Sequence, residues 1–181
     1  DVDLVFVYPE DGETRGARPL SNHEYFIRLA RRLISLLNEM TADGYVFRVD
    51  LRLRPDPRAT QVAISVDAAG IYYESMGQNW ERAAMIKARA AAGDIGLGME
   101  FLLRLKPYIW RKCLDFAAIA DVQSLKRQIH AVKGHGAIAV HGHNIKLGRG
   151  GIREIEFFVQ TQQLIAGGRN PALRGVRTLE M

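Results

Sequence analysis

Residues 45–55 read YVFRVDLRLRP. Tyr45, Phe47, Val49, Leu51 and Leu53 alternate with Arg48, Asp50, Arg52 and Arg54, and Pro55 closes the run. Strict alternation of apolar and charged residues is the pattern of a strand with one face buried and the other wet, and a proline cannot donate to the next ladder position. The pattern predicts a strand over 45–54 that carries one acid, Asp50, between arginines on its polar face. The chain opens on a second informative run, DVDLVFVYPE, predicting a strand from Val2 to Tyr8 that stops at Pro9. Asp1 and Asp3 stand one strand period apart and so project from the same face. A strand that starts on the first residue, with no lead-in, reads as a segment of a longer chain.

If those two strands are neighbours, Asp1, Asp3 and Asp50 converge. Two carboxylates about 4 Å apart repel by roughly 4 kcal/mol at an effective dielectric of 20. Three in one place therefore call for a cation or a shared proton. Hard divalent ions such as Mg²⁺ take oxygen ligands, keep several waters and bridge protein carboxylates to phosphates. A pair of them clamps the attacking and leaving oxygens of a phosphoryl displacement. The competing reading is two solvated aspartates at a strand end, with Asp50 in a surface ladder with Arg48 and Arg52. Asp-x-Asp alone is a weak motif, so both stay open at this point. The arginines carry the same ambiguity: Arg52 or Arg54 could present its planar donor fork to phosphate, or merely neutralise nearby acids.

Between the strands, Ser21 followed by Glu24 forms a capping box that predicts a helix start. Phe26, Leu29, Leu33, Leu36, Leu37 and Met40 then recur at helical spacing as a core-facing stripe. After Pro55 a short strand, VAISV, is followed by helical patterns: DAAGIYYESMG, NWERAAMIKARAAAG, GMEFLLRLKPYIW, DFAAIADVQSLKRQIHAVKG and GIREIEFFVQTQQLIAGG. This divides the chain near Gly93 into an α/β part, residues 1–92, and a helical part, residues 93–181. On the helix NWERAAMIKAR, Trp80 reads as core, and Lys87 as either a phosphate contact or a solvated lysine. In IKLGRGGIREIEF, three glycines precede a helix start, where free N–H groups and the dipole favour anions, with Lys146, Arg149 and Arg153 adding charge. It lacks the Gly-Lys-Ser/Thr ending of a P-loop, and an Arg153–Glu156 pair along the helix is the alternative.

Composition narrows the class. With 48% hydrophobic and 25% charged residues the chain is globular in character rather than fibrous or disordered. No apolar run is long enough to span a bilayer and no export signal opens the chain. The single cysteine, Cys113, excludes an internal disulfide and fits a reducing cytoplasm. A formal charge of +5 and a pI of about 9.6 favour phosphorylated or polyanionic partners. His135, His141 and His143 lie in a glycine-rich loop without zinc spacing, and Cys113 lacks a nucleophile motif.

Four stretches, DVDLVFVYPEDGETRG, FRVDLRLRP, NWERAAMIKAR and IKLGRGGIREIEFFVQ, together and in this order resemble the bifunctional glutamine-synthetase adenylyltransferase/adenylyl-removing family. The resemblance runs over nearly the whole chain, and the last motif points to that family's N-terminal, adenylyl-removing half. It implies an α+β fold: part of a polymerase β-like nucleotidyltransferase domain with a small mixed sheet, then an all-helical region. It further implies phosphorolysis, in which phosphate removes AMP from a tyrosine of glutamine synthetase to give ADP, within an enzyme that also adenylylates that target with ATP and so regulates nitrogen assimilation. By position, Asp1 and Asp3 would be paired Mg²⁺ (or Mn²⁺) ligands and Asp50 the third carboxylate. Arg52, Arg54, Lys87, Lys146 and Arg153 would be phosphate or nucleotide contacts. The resemblance also implies a cytoplasmic protein, regulated by glutamine and the PII signal protein, without membrane or nucleic-acid partners. In such proteins a Gly-rich turn with a serine precedes the first aspartate, so the chain is expected to begin just after the phosphate-holding loop. Two other readings remain: the adenylyl-transferring half of the same family, and a non-catalytic basic module that binds RNA or regulates.

Overall fold

The computed structural model describes residues 2–112, 143–146 and 148–180. The predicted helix over 115–134 therefore lies outside the described residues, as do Asp1, Cys113, His135 and His141. The described elements are β1 (Val2–Asp3), β2 (Phe6–Tyr8), α1 (Asn22–Asn38), β3 (Val49–Asp50), β4 (Ala63–Ser65), α2 (Val66–Ser75), α3 (Asn79–Met85), α4 (Ile95–Ile109) and α5 (Ile152–Ala166), with two short 3₁₀ turns at Pro171–Leu173 and Thr178–Glu180. They give an α+β fold. The chain groups into two compact units, residues 1–77 with 89–105, and 78–88 with 106–181. These are units of packing, in which residues 78–88 group with the later segment and 89–105 with the earlier one.

In the first unit the opening run changes partner halfway. β1 pairs with β3 and β2 pairs with β4, both in parallel, while Leu4 and Val5 lie between. Among the described residues the antiparallel pairing expected in a mixed sheet is confined to two isolated bridges, Glu13 to Ser21 and Thr41 to Gly44. Ser21 caps α1 by accepting the Glu24 N–H at 3.1 Å. The other half of the expected box is absent, because the Glu24 carboxylate pairs with Arg28 one turn on.

α1 packs through Ile27 and Ala30 onto Tyr8 and Ala63, with Phe6, Phe26 and Val62 around them. Tyr8 and Phe26 stack face to face at 5.1 Å. A buried side chain of the size of Ile27 contributes about 1.5–3 kcal/mol, and a methyl such as that of Ala30 about 0.8 kcal/mol. This corrects the expected stripe. Leu29, Leu33, Leu36 and Met40 face solvent on the described chain, and the core contact is made one position along the wheel. α2 begins on a Ser65 cap and buries Tyr73, whose hydroxyl donates to the Leu53 carbonyl at 2.9 Å. Asp67 on α2 pairs with Arg104 on α4.

The strand predicted over 45–54 is reduced to two residues. Arg52 N–H bonds the Asp50 carboxylate, Arg54 N–H reaches back to the Leu51 carbonyl, and the Arg54 guanidinium spans the Leu51 and Pro57 carbonyls at 2.9 and 2.7 Å. Such local bonds compete with a ladder and fold the segment into a turn. Asp56, between two prolines, completes it in the left-handed region at φ 36°.

The second unit is built on α3 and α5 with the last turn of α4. Glu81 accepts the Gln78 N–H at 2.8 Å and starts α3. Arg82, 1% exposed, donates to the Ile109 carbonyl at 3.0 Å and the Leu164 carbonyl at 3.1 Å. It thus satisfies C-terminal carbonyls of two helices, groups that no helix can satisfy internally. Gln163, also buried, ties the C-terminal segment by donating to the Leu173 and Gly175 carbonyls. Trp80, expected in the core, is 39% exposed, and Arg82 takes the buried side of α3 in its place. Among the described residues no helix is long and apolar enough to cross a membrane.

Candidate active site

Asp3 and Asp50 face each other directly across the β1–β3 ladder. The ladder is fixed by the Val2 N–H to the Arg48 carbonyl and the Leu4 N–H to the Asp50 carbonyl, both 2.9 Å. Aligned residues on parallel neighbours point to the same face about 4.8 Å apart, so the two side chains leave the sheet on one side. Asp1, one period earlier, lies outside the described residues.

Asp50 is held by its own strand end. Its Oδ1 accepts from the Arg52 backbone N–H at 2.9 Å and from Arg52 Nε at 3.0 Å, and its Oδ2 accepts from Arg52 Nε and Nη2 at 2.8 and 2.5 Å. The Arg52 side-chain bond first, then its backbone N–H and charge with help from Arg48, hold the Asp50 carboxyl below the usual carboxylate range against a smaller opposing effect of burial. Arg52 is in turn raised by Asp50, with Asp3 adding to the field. Asp3 makes no hydrogen bond among the described residues.

The donor set suits a hard divalent ion. Mg²⁺ and Mn²⁺ use one or two protein carboxylates and complete their octahedra with water and phosphate oxygens. Two adjacent carboxylates on one face supply that, and Arg52, largely solvent-exposed, is a partner that a cation could displace. No group of three or more His, Cys, Asp or Glu is placed to hold a metal among the described residues, where the third carboxylate, Asp1, is not included.

The basic candidates separate into the two units. Arg52 and Arg54 belong to the first. Arg54 braces the turn after β3, and its Nε is buried without a hydrogen-bond partner among the described residues. Lys87, Lys146 and Arg153 belong to the second. Lys87 pairs with Glu156 at 3.0 Å, taking the acid that the sequence offered to Arg153. Lys146 and Arg153 are exposed beside the start of α5. The backbone donors there are already used: Ile152 and Arg153 N–H groups bond the Ile145 and Lys146 carbonyls, and Gly150 N–H bonds the Glu154 carboxylate. A Cβ on Gly151 would lie 2.5 Å from the Ile145 oxygen, so this glycine is required by the tight loop itself. The glycine-rich turn is closed by its own carbonyls rather than left open as an anion cradle.

Sequence reading missed Arg82. Its helix position beside Met85 and Ile86 was the available signal, but its partners lie 27 and 82 residues away.

The family description "Glutamate-ammonia ligase adenylyltransferase" matches residues 1–104, and "GlnD PII-uridylyltransferase" matches residues 122–180. Proteins named bifunctional glutamine synthetase adenylyltransferase/adenylyl-removing enzyme are 65% identical in Mesorhizobium japonicum and 64% in Brucella suis, each over 100% of this chain. That of Rhizobium meliloti is 67% identical over 96% of it. The chain spans 18% of the length of these relatives. It belongs to the glutamate-ammonia ligase adenylyltransferase family.

Proposed function

We propose that this chain carries the catalytic carboxylates of an adenylyl-removing nucleotidyltransferase, with residues 1–92 as its catalytic portion and 93–181 as a helical region. The observation that carries the reading is the direct apposition of Asp3 and Asp50 on one sheet face. In this reading Asp3, Asp50 and Asp1 hold Mg²⁺ or Mn²⁺. The ion, when bound, offsets charge on the phosphoryl oxygens as bonds are exchanged.

The reaction is displacement at the phosphorus of AMP joined to a tyrosine of glutamine synthetase. An oxygen of hydrogen phosphate forms the new P–O–P bond, the bond from phosphorus to the tyrosyl oxygen breaks, and the phosphate's proton ends on the tyrosine. ADP and free tyrosine are the products. The protein's part is positioning and electrostatics, as is general for phosphoryl transfer. Asp3 and Asp50 fix the reacting phosphorus relative to the cation. Arg52 holds Asp50 ionised, and Arg52, Arg54, Lys87, Lys146 and Arg153 are the proposed phosphate and nucleotide contacts. The relatives' names support glutamine synthetase as the protein substrate, and the match over 122–180 supports regulation linked to PII. Glutamine as effector and a cytoplasmic location belong to the same proposal.

The test is incubation of the chain with adenylylated glutamine synthetase, phosphate and Mg²⁺, with the full-length Mesorhizobium japonicum relative as positive control. ADP release that Asp50→Asn reduces at least about a hundredfold supports the reading. Pyrophosphate release from ATP on unmodified glutamine synthetase, without ADP release, assigns the chain to the adenylyl-transferring reaction instead.

A further inference from the structure

The second unit contains a cavity of about 400 Å³ that the reaction above does not use. Lys106, Arg111, Lys112 and Arg174 surround it, with Trp110 and Pro107 as its apolar surface. Among the described residues no carboxylate lines it.

The cavity is built by a close approach of two chain segments. Gly167 and Gly168, just past α5, lie against residues 110–112: a Cβ on Gly167 would be 2.6 Å from Trp110 Cζ3, and one on Gly168 would overlap the Arg111 carbonyl. Arg169 Nε donates to the Lys112 carbonyl at 2.9 Å. Arg174 donates to the Gly167 and Gly168 carbonyls at 2.6 and 3.2 Å while its guanidinium lies over the Trp110 ring at 5.6 Å. One cation and the indole are thereby held in place.

The remaining cations have no counter-charge among the described residues. Lys106, Arg111 and Lys112 side chains form no ion pair or hydrogen bond with another described residue, and Arg111 rests over the Tyr108 ring at 5.7 Å. Their field reaches the interior: burial first, and then Arg111, pushes the Arg82 guanidinium down to about 10. A site at positive potential gains from an anion. Its volume falls within the range of roughly 300–1,000 Å³ for small-molecule pockets, more than inorganic phosphate fills. The cations ring one concavity and do not form a stripe, which favours a small ligand over a nucleic-acid strand.

We propose that this cavity binds a small phosphorylated ligand with a planar ring, of mononucleotide size. Its phosphate is met by Lys106, Arg111 and Lys112, and its ring lies against Trp110 and Pro107. The site uses neither Asp3 nor Asp50, so it stands or falls independently of the phosphorolysis reading.

The chain has two tryptophans, and Trp80→Phe leaves Trp110 as the only fluorophore of that kind. This variant is titrated without divalent metal against ADP, pyrophosphate and adenosine. The expected result is saturable quenching by ADP with a midpoint below about 1 mM, a weaker response to pyrophosphate and none to adenosine. Arg111→Ala with Lys112→Ala weakens it about tenfold or more, and Lys106→Gln weakens it less. All of these are exposed positions, and far-UV circular dichroism checks their folding. Absence of saturation by ADP overturns the proposal, as does a midpoint indifferent to both basic-residue variants. An equal response to pyrophosphate overturns the ring contact. Quenching by polyuridylate alone assigns the surface to a strand and overturns the small-ligand site.

Discussion

Asp50 in the first unit and Arg82 in the second are both charged, both hydrogen-bonded and set in opposite surroundings. Asp50 lies on a sheet face beside a second acid, and its partner Arg52 is an exposed side chain two residues away. Arg82 is 1% exposed and its partners are backbone carbonyls at the ends of two helices. A charge whose partner is a solvated arginine can exchange that partner for a cation or a phosphate with little disturbance. A charge bonded to main chain in the interior cannot. The difference marks which unit holds exchangeable charge at its carboxylates and which uses charge to keep its shape.

The largest effect should come from breaking the buried side of this comparison. Arg82→Met leaves the Ile109 and Leu164 carbonyls without their donor and imperfectly fills the space, and a loss of about 3 kcal/mol or more is expected in urea unfolding of the chain. A loss below about 1 kcal/mol would mean that water or other donors replace Arg82.

A middle case is Tyr8, buried at 3% exposure, whose hydroxyl donates to Asp11 at 3.0 Å. Burial, with the Asp11 bond and charge adding, raises its hydroxyl from 10 to about 12. The folded state thus holds the proton more tightly than the unfolded one. That stabilisation is complete below pH 10 and fades as pH rises from 10 to about 12. Tyr8→Phe should cost about 1 kcal/mol at neutral pH and flatten the alkaline limb of the stability curve.

The smallest effect belongs to the exposed pair. Asp50's folded pKa is depressed, so its stabilisation is present above the usual carboxylate range and is lost as pH falls through that range to the lower folded value. Arg52→Gln should move the Asp50 carbon signal's titration back toward ordinary carboxylates in metal-free solution while hardly changing the unfolding midpoint. An unmoved titration would show that backbone donors alone hold Asp50.

The sequence made the carboxylates legible because period two and parallel pairing are geometric rules: Asp3 and Asp50 were placed on polar faces before their register was known. The Ser21 start and α5 were legible from caps and spacing. Less legible was the length of the second strand, since the bonds of Arg52 and Arg54 that end it at Asp50 depend on which carbonyls the turn presents. The face of α1 was misread because Leu29, Leu33 and Leu36 outweigh Ile27 and Ala30 in hydrophobicity, while the small Ala30 is what permits close packing on Ala63. The cavity around Trp110 had a signal in KPYIWRK, aromatics interleaved with cations, but its other wall comes from Gly168 and Arg174, far along the chain.

The central claim, that Asp3 and Asp50 form a cation site, is tested most directly by titrating the chain with Mn²⁺ and following free ion by electron paramagnetic resonance. The account predicts saturable binding, weakened about tenfold by Asp3→Asn or Asp50→Asn and tightened by Arg52→Gln, which removes the competing partner. Binding that is absent, or the same in all three variants, would contradict it.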